Sequence, residues 1–144
     1  MKETLIVVAQ FLLIGLLAWP FSEALWWWTA LALALPGIAF GVWTLLHNRP
    51  GNFNIRPSIR EGGVLVTDGP YALVRHPMYV CVLWLGVSVV VLYATPIKLA
   101  LLVLLYAVLH IKAGIEENHL LTQFPDYADY FHKVGRFLPR RTPE

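Results

Sequence analysis

Two groups of residues carry side chains able to do chemistry. One runs from Gly69-Pro70-Tyr71 to Arg75-His76-Pro77-Met78-Tyr79, and the other is Glu116-Glu117-Asn118-His119-Leu120. Pro77 fits the first turn of a helix, where a missing N–H costs nothing. That spacing puts His76 near the N-cap, with Arg75 just before it. A helix N-terminus attracts anions, and a guanidinium adds a planar fork for a carboxylate or phosphate. The ordinary alternative stays open: Arg75 as a membrane-face anchor and His76 as a simple cap. Glu116 and Glu117 stand at the end of a helix, where the dipole disfavours acids. They are either a solvated pair or, with His110 and Lys112 on the same approach, the lining of a polar cavity at a membrane boundary.

Metal chemistry is not expected. Glu116 and His119 make one Glu-x-x-His step, whereas di-iron bundles need two such steps and further carboxylates. The five histidines and Cys81 contain no close-spaced pair of the zinc type. A glycine-rich phosphate loop, a Gly-x-Ser-x-Gly elbow and a dinucleotide fingerprint are all missing.

The elements that must position these residues follow from hydropathy. Of 144 residues, 58% are hydrophobic and only 14% charged, with a mean hydropathy of +0.61, against about 25% charged in a typical soluble domain. Disorder is excluded by the apolar content, and a disulfide scaffold by the single cysteine. A net charge of +2 is too mild to argue for nucleic acid. The apolar residues fall in blocks, so one all-α integral membrane domain over 1–144 is expected, with the lipid bilayer as its first partner. Four helices are predicted at about 4–21, 24–46, 78–94 and 97–115, using the roughly 20 residues a span requires. The last two are short enough to need tilt. Pro36-Gly37 should kink the second helix, and Thr95-Pro96 should turn the last two into a hairpin. Such a hairpin returns both chemical groups to one membrane face. The first run is expected to stay as a span, because Lys2 is offset by Glu3 and no cleavage signal follows.

Arg49, Arg56, Arg60 and Arg75 crowd the 47–77 loop, and Lys133, Arg136, Arg140 and Arg141 the 116–144 tail. Both segments should therefore face the cytoplasm. Trp19, Trp26, Trp27, Trp28 and Tyr93 map to the opposite interface, where amphipathic rings settle. Gly62-Gly63 and Asp68-Gly69-Pro70 are turn signals, and residues 64–66 between them are either a brief strand or a buried crossing. Tyr127, Tyr130, Phe131 and Phe137 give the tail more aromatic surface than a free segment needs, so it should fold back.

The series Leu65-Val66-Thr67-Asp68-Gly69-Pro70-Tyr71, Val74-Arg75-His76-Pro77-Met78-Tyr79, Glu116-Glu117-x-x-Leu120, Phe124-Pro125-Asp126-Tyr127 and Arg136-Phe137-Leu138-Pro139 resembles the isoprenylcysteine carboxyl methyltransferase and phospholipid methyltransferase superfamily of small membrane enzymes. The resemblance covers about 63–139. It implies S-adenosylmethionine as methyl donor, bound at the cytoplasmic ends of the last two helices under the C-terminal segment. It implies Arg75 and Glu116 as the catalytic pair, with Tyr71, His76, Pro77, Tyr79, Glu117 and Leu120 around the cofactor. Relatives often carry glycine two residues after the motif tyrosine, where this chain has Cys81, a side chain that would narrow a channel. The implied activity is methyl transfer to a lipophilic or small acceptor, of prenylcysteine-carboxylate, amino-lipid or thiol type. The other reading is a non-catalytic membrane subunit that keeps the fold.

Overall fold

The computed structural model describes residues 2–20, 22–48 and 65–140. These residues form six helices: α1 (Lys2–Ala18), α2 (Trp27–His47), α3 (Pro70–Leu73), α4 (Pro77–Tyr93), α5 (Pro96–Gln123) and α6 (Tyr127–Lys133). Among the described residues there is no strand, only an isolated parallel bridge between Val74 and Gly135. Leu65 and Val66 therefore run as irregular chain. The Gly62-Gly63 signal and Arg49, Arg56, Arg60 and Arg141 lie outside the described residues.

Proline marks the start of α3, α4 and α5, as expected where the helix has no use for the first N–H. Between α4 and α5 the chain reverses at Ala94, whose left-handed backbone (φ +48°) ends α4 and lets its N–H reach Val90 O. The expected hairpin is thus present. One boundary differs: α5 continues to Gln123 instead of ending near 115. Hydropathy marks where a helix leaves an apolar medium, not where its hydrogen bonds stop. Glu116 and Glu117 consequently sit inside a continuous helix and not at its dipole-disfavoured end. Measured from the turn, α4 is about 25 Å long at 1.5 Å per residue, which brings its first residues level with 113–117 on α5.

The hairpin is flanked by α1, which packs on α5, and α2, which packs on α4. Leu17, Leu105 and Leu109 form the buried centre. Elsewhere large apolar side chains point outward, including Leu5, Phe11, Leu35, Val103 and Ile111. Outward-facing apolar surface on this scale marks a protein that meets an apolar surrounding. By length and hydropathy α2 and α5 qualify as membrane spans, while Glu3–Ala18 and Pro77–Tyr93 are shorter apolar helices. Trp19, Trp26, Trp27 and Trp28 are all exposed.

Pro36 lies within α2, and its neighbour Gly37 serves packing. A Cβ there would come 2.8 Å from the Trp84 ring, whose indole N–H donates to Leu33 O at 2.7 Å. Four residues on, Gly41 offers bare backbone to Cys81, whose sulfur would lie 3.5 Å from an added Cβ. Cys81 also donates to Pro77 O. The cysteine side chain is thus absorbed at the α2–α4 contact. Gly69 answers a different need. Its φ of +57° suits glycine, and a Cβ would meet the His47 ring at 2.5 Å; that ring pairs with Asp68 at 3.0 Å and ties the end of α2 to the turn before α3.

Candidate functional site

The site is built where the chain enters α4. His76 is the N-cap residue, yet it makes no side-chain cap hydrogen bond. Its ring turns toward α5, with Nε2 3.1 Å from Glu117 Oε1 and Nδ1 3.4 Å from Glu116 Oε2. The simple-cap reading therefore fails. Arg75 has a side chain only 7% exposed, which removes the headgroup-anchor reading as well. Its Nε and Nη2 donate to Glu117 Oε1, both at 2.9 Å. Its Nη1 donates to the carbonyls of Phe131 (2.8 Å) and Val134, and its guanidinium stacks 4.2 Å from the Phe131 ring.

Glu117 is 2% exposed and Glu116 is 19%. The solvated-pair reading fails, and the two acids divide their work. Both oxygens of Glu117 are engaged by protein cations: Arg75, His76 and also Arg136, through Nε at 3.1 Å and through Nη2. Glu116 accepts from the Tyr79 hydroxyl at 2.5 Å and keeps the more open carboxylate. Tyr79 in turn stacks parallel to His76, centroids 5.2 Å apart. Pro77 is buried at the first turn. Tyr71 is half-buried, its carbonyl accepting from Tyr130 OH at 2.6 Å. Burial, and then the Glu116 charge, pushes the Tyr71 phenol up to about 12, so it stays a neutral donor. Leu120 lies half-buried one turn beyond Glu116 on α5, outside the hydrogen-bonded group.

Four further residues belong here: Arg136, Phe137 and Tyr127, which stand in the motif series without a role, and Lys112, which the sequence offered only as cavity lining. Arg136 joins Glu117 to His110, Nη1 lying 2.9 Å from His110 Nε2. Phe137 sits edge-on to the rings of His76, Tyr79, Tyr106 and His110 at centroid distances of 5.9–6.3 Å. The C-terminal segment is held there by backbone bonds from Arg75 N to Gly135 O and from His76 N to Arg136 O, so the expected fold-back of the tail is present. Tyr127 is 1% exposed and its hydroxyl has no hydrogen-bond partner among the described residues. Finally, Lys112 lies over the Tyr79 ring at 5.3 Å. The tail aromatics were visible as a surplus in the sequence, but their targets were not.

The charge of His76 has a pH signature. Burial opposes it, but hydrogen bonds to Glu116 and Glu117 outweigh burial and hold the imidazole above the ordinary histidine range. With an unfolded value of about 6.5, the charge stabilises the fold fully below about pH 6.5, and that contribution disappears as pH rises through the folded value. The gap in melting temperature between wild type and His76→Gln should be widest in acid and narrow with rising pH. A gap that does not change with pH would mean that the ring carries no charge.

Chemically, the cluster has no nucleophile beside a base. It has cations, acids and aromatic faces, buried at a helix entrance and roofed by a strap. That is equipment for holding a charged ligand in one orientation with water excluded. No group of three or more His, Cys, Asp or Glu side chains among the described residues is placed to hold a metal ion.

Comparison with known proteins gives two findings. The sequence profile of the isoprenylcysteine carboxyl methyltransferase (ICMT) family matches residues 29–123. Two curated relatives are the cobalt-zinc-cadmium resistance protein CzcN of Cupriavidus metallidurans, 35% identical over 85 residues, and the nickel-cobalt-cadmium resistance protein NccN of Alcaligenes xylosoxydans xylosoxydans, 37% identical over 83. Each match covers 56% of this chain and 38% of the relative, so the chain matches well under half the length of either. No solved structure matches.

Proposed function

The chain belongs to the isoprenylcysteine carboxyl methyltransferase family, and on that premise we propose that it transfers a methyl group from S-adenosylmethionine to a lipophilic or small acceptor at the cytoplasmic membrane face. The acceptor classes in view are a prenylcysteine-type carboxylate, an amino-lipid headgroup and a thiol. The observation that carries this reading is the buried network in which Arg75 and His76 of one motif meet Glu116 and Glu117 of the other across the α4–α5 hairpin.

The donor set fits the methyl donor. Its carboxylate suits the cationic side of the cluster, and its amine and ribose hydroxyls suit an open carboxylate such as Glu116. The orphaned Tyr127 hydroxyl is a buried polar atom beside the cluster with a hydrogen bond still to make. When bound, S-adenosylmethionine supplies an electrophilic methyl group.

The chain's own residues do the rest. His76, Pro77, Tyr79, Tyr71 and Leu120 form the wall. Glu116 is oriented by the Tyr79 hydroxyl. Arg75 enters through Glu117 and the C-terminal carbonyls, holding the strap over the wall so that Phe137 keeps water from the aromatic faces. A carboxylate or thiolate acceptor needs no general base, whereas an amine must first lose its proton.

The same reading has all four long helices crossing the bilayer, α1 and α4 tilted or locally thinning it, with the site inside. In a Cys81→Ala background, Ser22→Cys and Ala128→Cys should label from opposite sides of the membrane. Labelling of both from one side would end the four-span topology.

The function itself is tested by calorimetric binding of S-adenosylhomocysteine, followed by labelled-methyl transfer into lipid extracts and small thiols, with products identified by mass. Binding with turnover of at least one acceptor is the expected result. The second reading, a non-catalytic membrane subunit retaining the fold, is favoured by the names of the two relatives, which speak of metal resistance. Binding without methylation of any acceptor would select it.

A further inference from the structure

His110 and Arg136 meet at the edge of the site, and one protonation state of the histidine permits the contact. Arg136 Nη1 lies 2.9 Å from His110 Nε2. A guanidinium is a donor at every nitrogen and keeps its charge in proteins. Nε2 must therefore offer its lone pair, which makes the imidazole neutral, with its hydrogen on Nδ1. The same Nη1 reaches the His110 carbonyl only at 3.4 Å, so the ring nitrogen is the closer acceptor. His110, Gly114 and Glu117 share one face of α5 at helical spacing. Arg136 lies across that face, with Nε and Nη2 on Glu117 and Nη2 3.9 Å from where a Gly114 Cβ would stand. The His110 ring is set between Phe137, edge-on at 6.1 Å, and Tyr106, at 5.8 Å. It is exposed all the same, so a proton can reach it from outside.

Protonation would take away the lone pair and set a second cation against the guanidinium. The surrounding charges do not relieve that. On α5 itself Lys112 is another cation. Glu117 is already shared by Arg75, His76 and Arg136, and Glu116 is engaged by Tyr79 and His76. From α4, His76 and Tyr79 stand on the far side of the Phe137 ring. The first helix carries no charged residue between Thr4 and Ala18. The acids of the α6 segment, Asp126 and Asp129, are exposed at its start, and Lys133 and Arg140 add positive charge to the strap.

We propose that neutral His110 is a positioning residue for the strap: it accepts from Arg136, keeps Phe137 over the site, and lets go on taking a proton. The proposal rests on the methyl-transfer reading only for what the strap covers. The strap is closed above the range in which histidines change charge and loosened below it. His76 works in the opposite sense, since its charge strengthens the fold in acid. Loosening in acid therefore cannot come from His76. The backbone bonds to Gly135 O and Arg136 O remain in either state, so the strap is released from α5 while it stays tethered to the start of α4.

The test uses the purified full chain in detergent, in a Cys81→Ala background with a nitroxide spin label at Leu138→Cys, a position 79% exposed beside Phe137. Spectra at about pH 8 and about pH 5.5 bracket the histidine range. With His110 in place, the ratio of mobile to immobilised label should rise roughly tenfold or more in acid, the lower end for a lost charge-assisted hydrogen bond. His110→Gln, whose amide oxygen accepts at either pH, should remove the rise, and His132→Gln, on the strap itself, should leave it. His110→Phe keeps a ring but has no acceptor, so its strap should be mobile at both pH values. Three results overturn the proposal: no rise with His110 in place, a rise that survives in His110→Gln, or a His110→Phe strap as ordered at about pH 8 as with His110. The two His110 variants are independent, so either decides if the other does not fold. S-adenosylhomocysteine should reduce the mobile component at about pH 8. A pH-dependent strap indifferent to it would keep the role of His110 and sink the donor-site reading. A strap ordered by S-adenosylhomocysteine but not by pH would do the reverse.

Discussion

Replacing Glu117 by glutamine is expected to cost about 3–5 kcal/mol of stability, the range for removing one partner of a buried charge pair. The carboxylate is 2% exposed and faces Arg75, His76 and Arg136 together. A neutral amide would leave the buried Arg75 guanidinium and the half-buried Arg136 guanidinium facing each other without a negative charge between them. Against a total stability of about 5–15 kcal/mol, that loss is large enough to unfold much of the protein. Glu116→Gln should behave in the opposite way. The Tyr79 hydroxyl can donate to an amide oxygen as it does to the carboxylate, so the fold should survive. Donor affinity should fall instead, by about 1.5–3 kcal/mol for a lost charge-assisted bond. Thermal melts beside calorimetry with S-adenosylhomocysteine separate the two outcomes. A Glu117→Gln protein as stable as wild type would show that the cations find other partners, and the division of labour between the two acids would be wrong.

Arg75→Lys is expected to cut turnover steeply in a protein that still folds. The guanidinium serves Glu117 with two donors and the carbonyls of Phe131 and Val134 with a third, while stacking on the Phe131 ring. A lysine ammonium is one compact charge and cannot span those acceptors at once. It can keep the pairing with Glu117 but should release the C-terminal strap, and with it Phe137. A misplacement of about 1 Å in a site that works by alignment costs on the order of a hundredfold. Two measurements belong together: methyl transfer at saturating donor, and limited proteolysis of the strap, which should quicken. Wild-type turnover with an unchanged cleavage rate would reduce Arg75 to a buried structural cation.

The sequence by itself determined where the four long helices lie, because apolar runs and the prolines at 77 and 96 are local signals that depend on no distant contact; the short α3, begun at a proline read as part of a turn, and α6 emerged only with the fold. It also determined that the Arg75-His76 and Glu116-Glu117 groups meet, since a reversal near Pro96 leaves two arms of comparable length little choice. Only the tertiary structure decided what each group touches. That α5 runs on to Gln123, and that Glu117 turns inward while Glu116 stays more open, follow from helical phase and from cations brought in by other segments. The same holds for Arg136 and Phe137, which reached the site from the tail, and for Gln10, which came to Lys112 from the first helix. The physical reason is that hydropathy and backbone propensity are summed along the chain, whereas burial of a charge is decided by partners far away in it. A lysine in an apolar run reads the same whether backbone carbonyls or a side-chain amide await it; Lys98, held by carbonyls at the end of α1, and Lys112, held by the Gln10 amide, differ only in what the fold placed beside them.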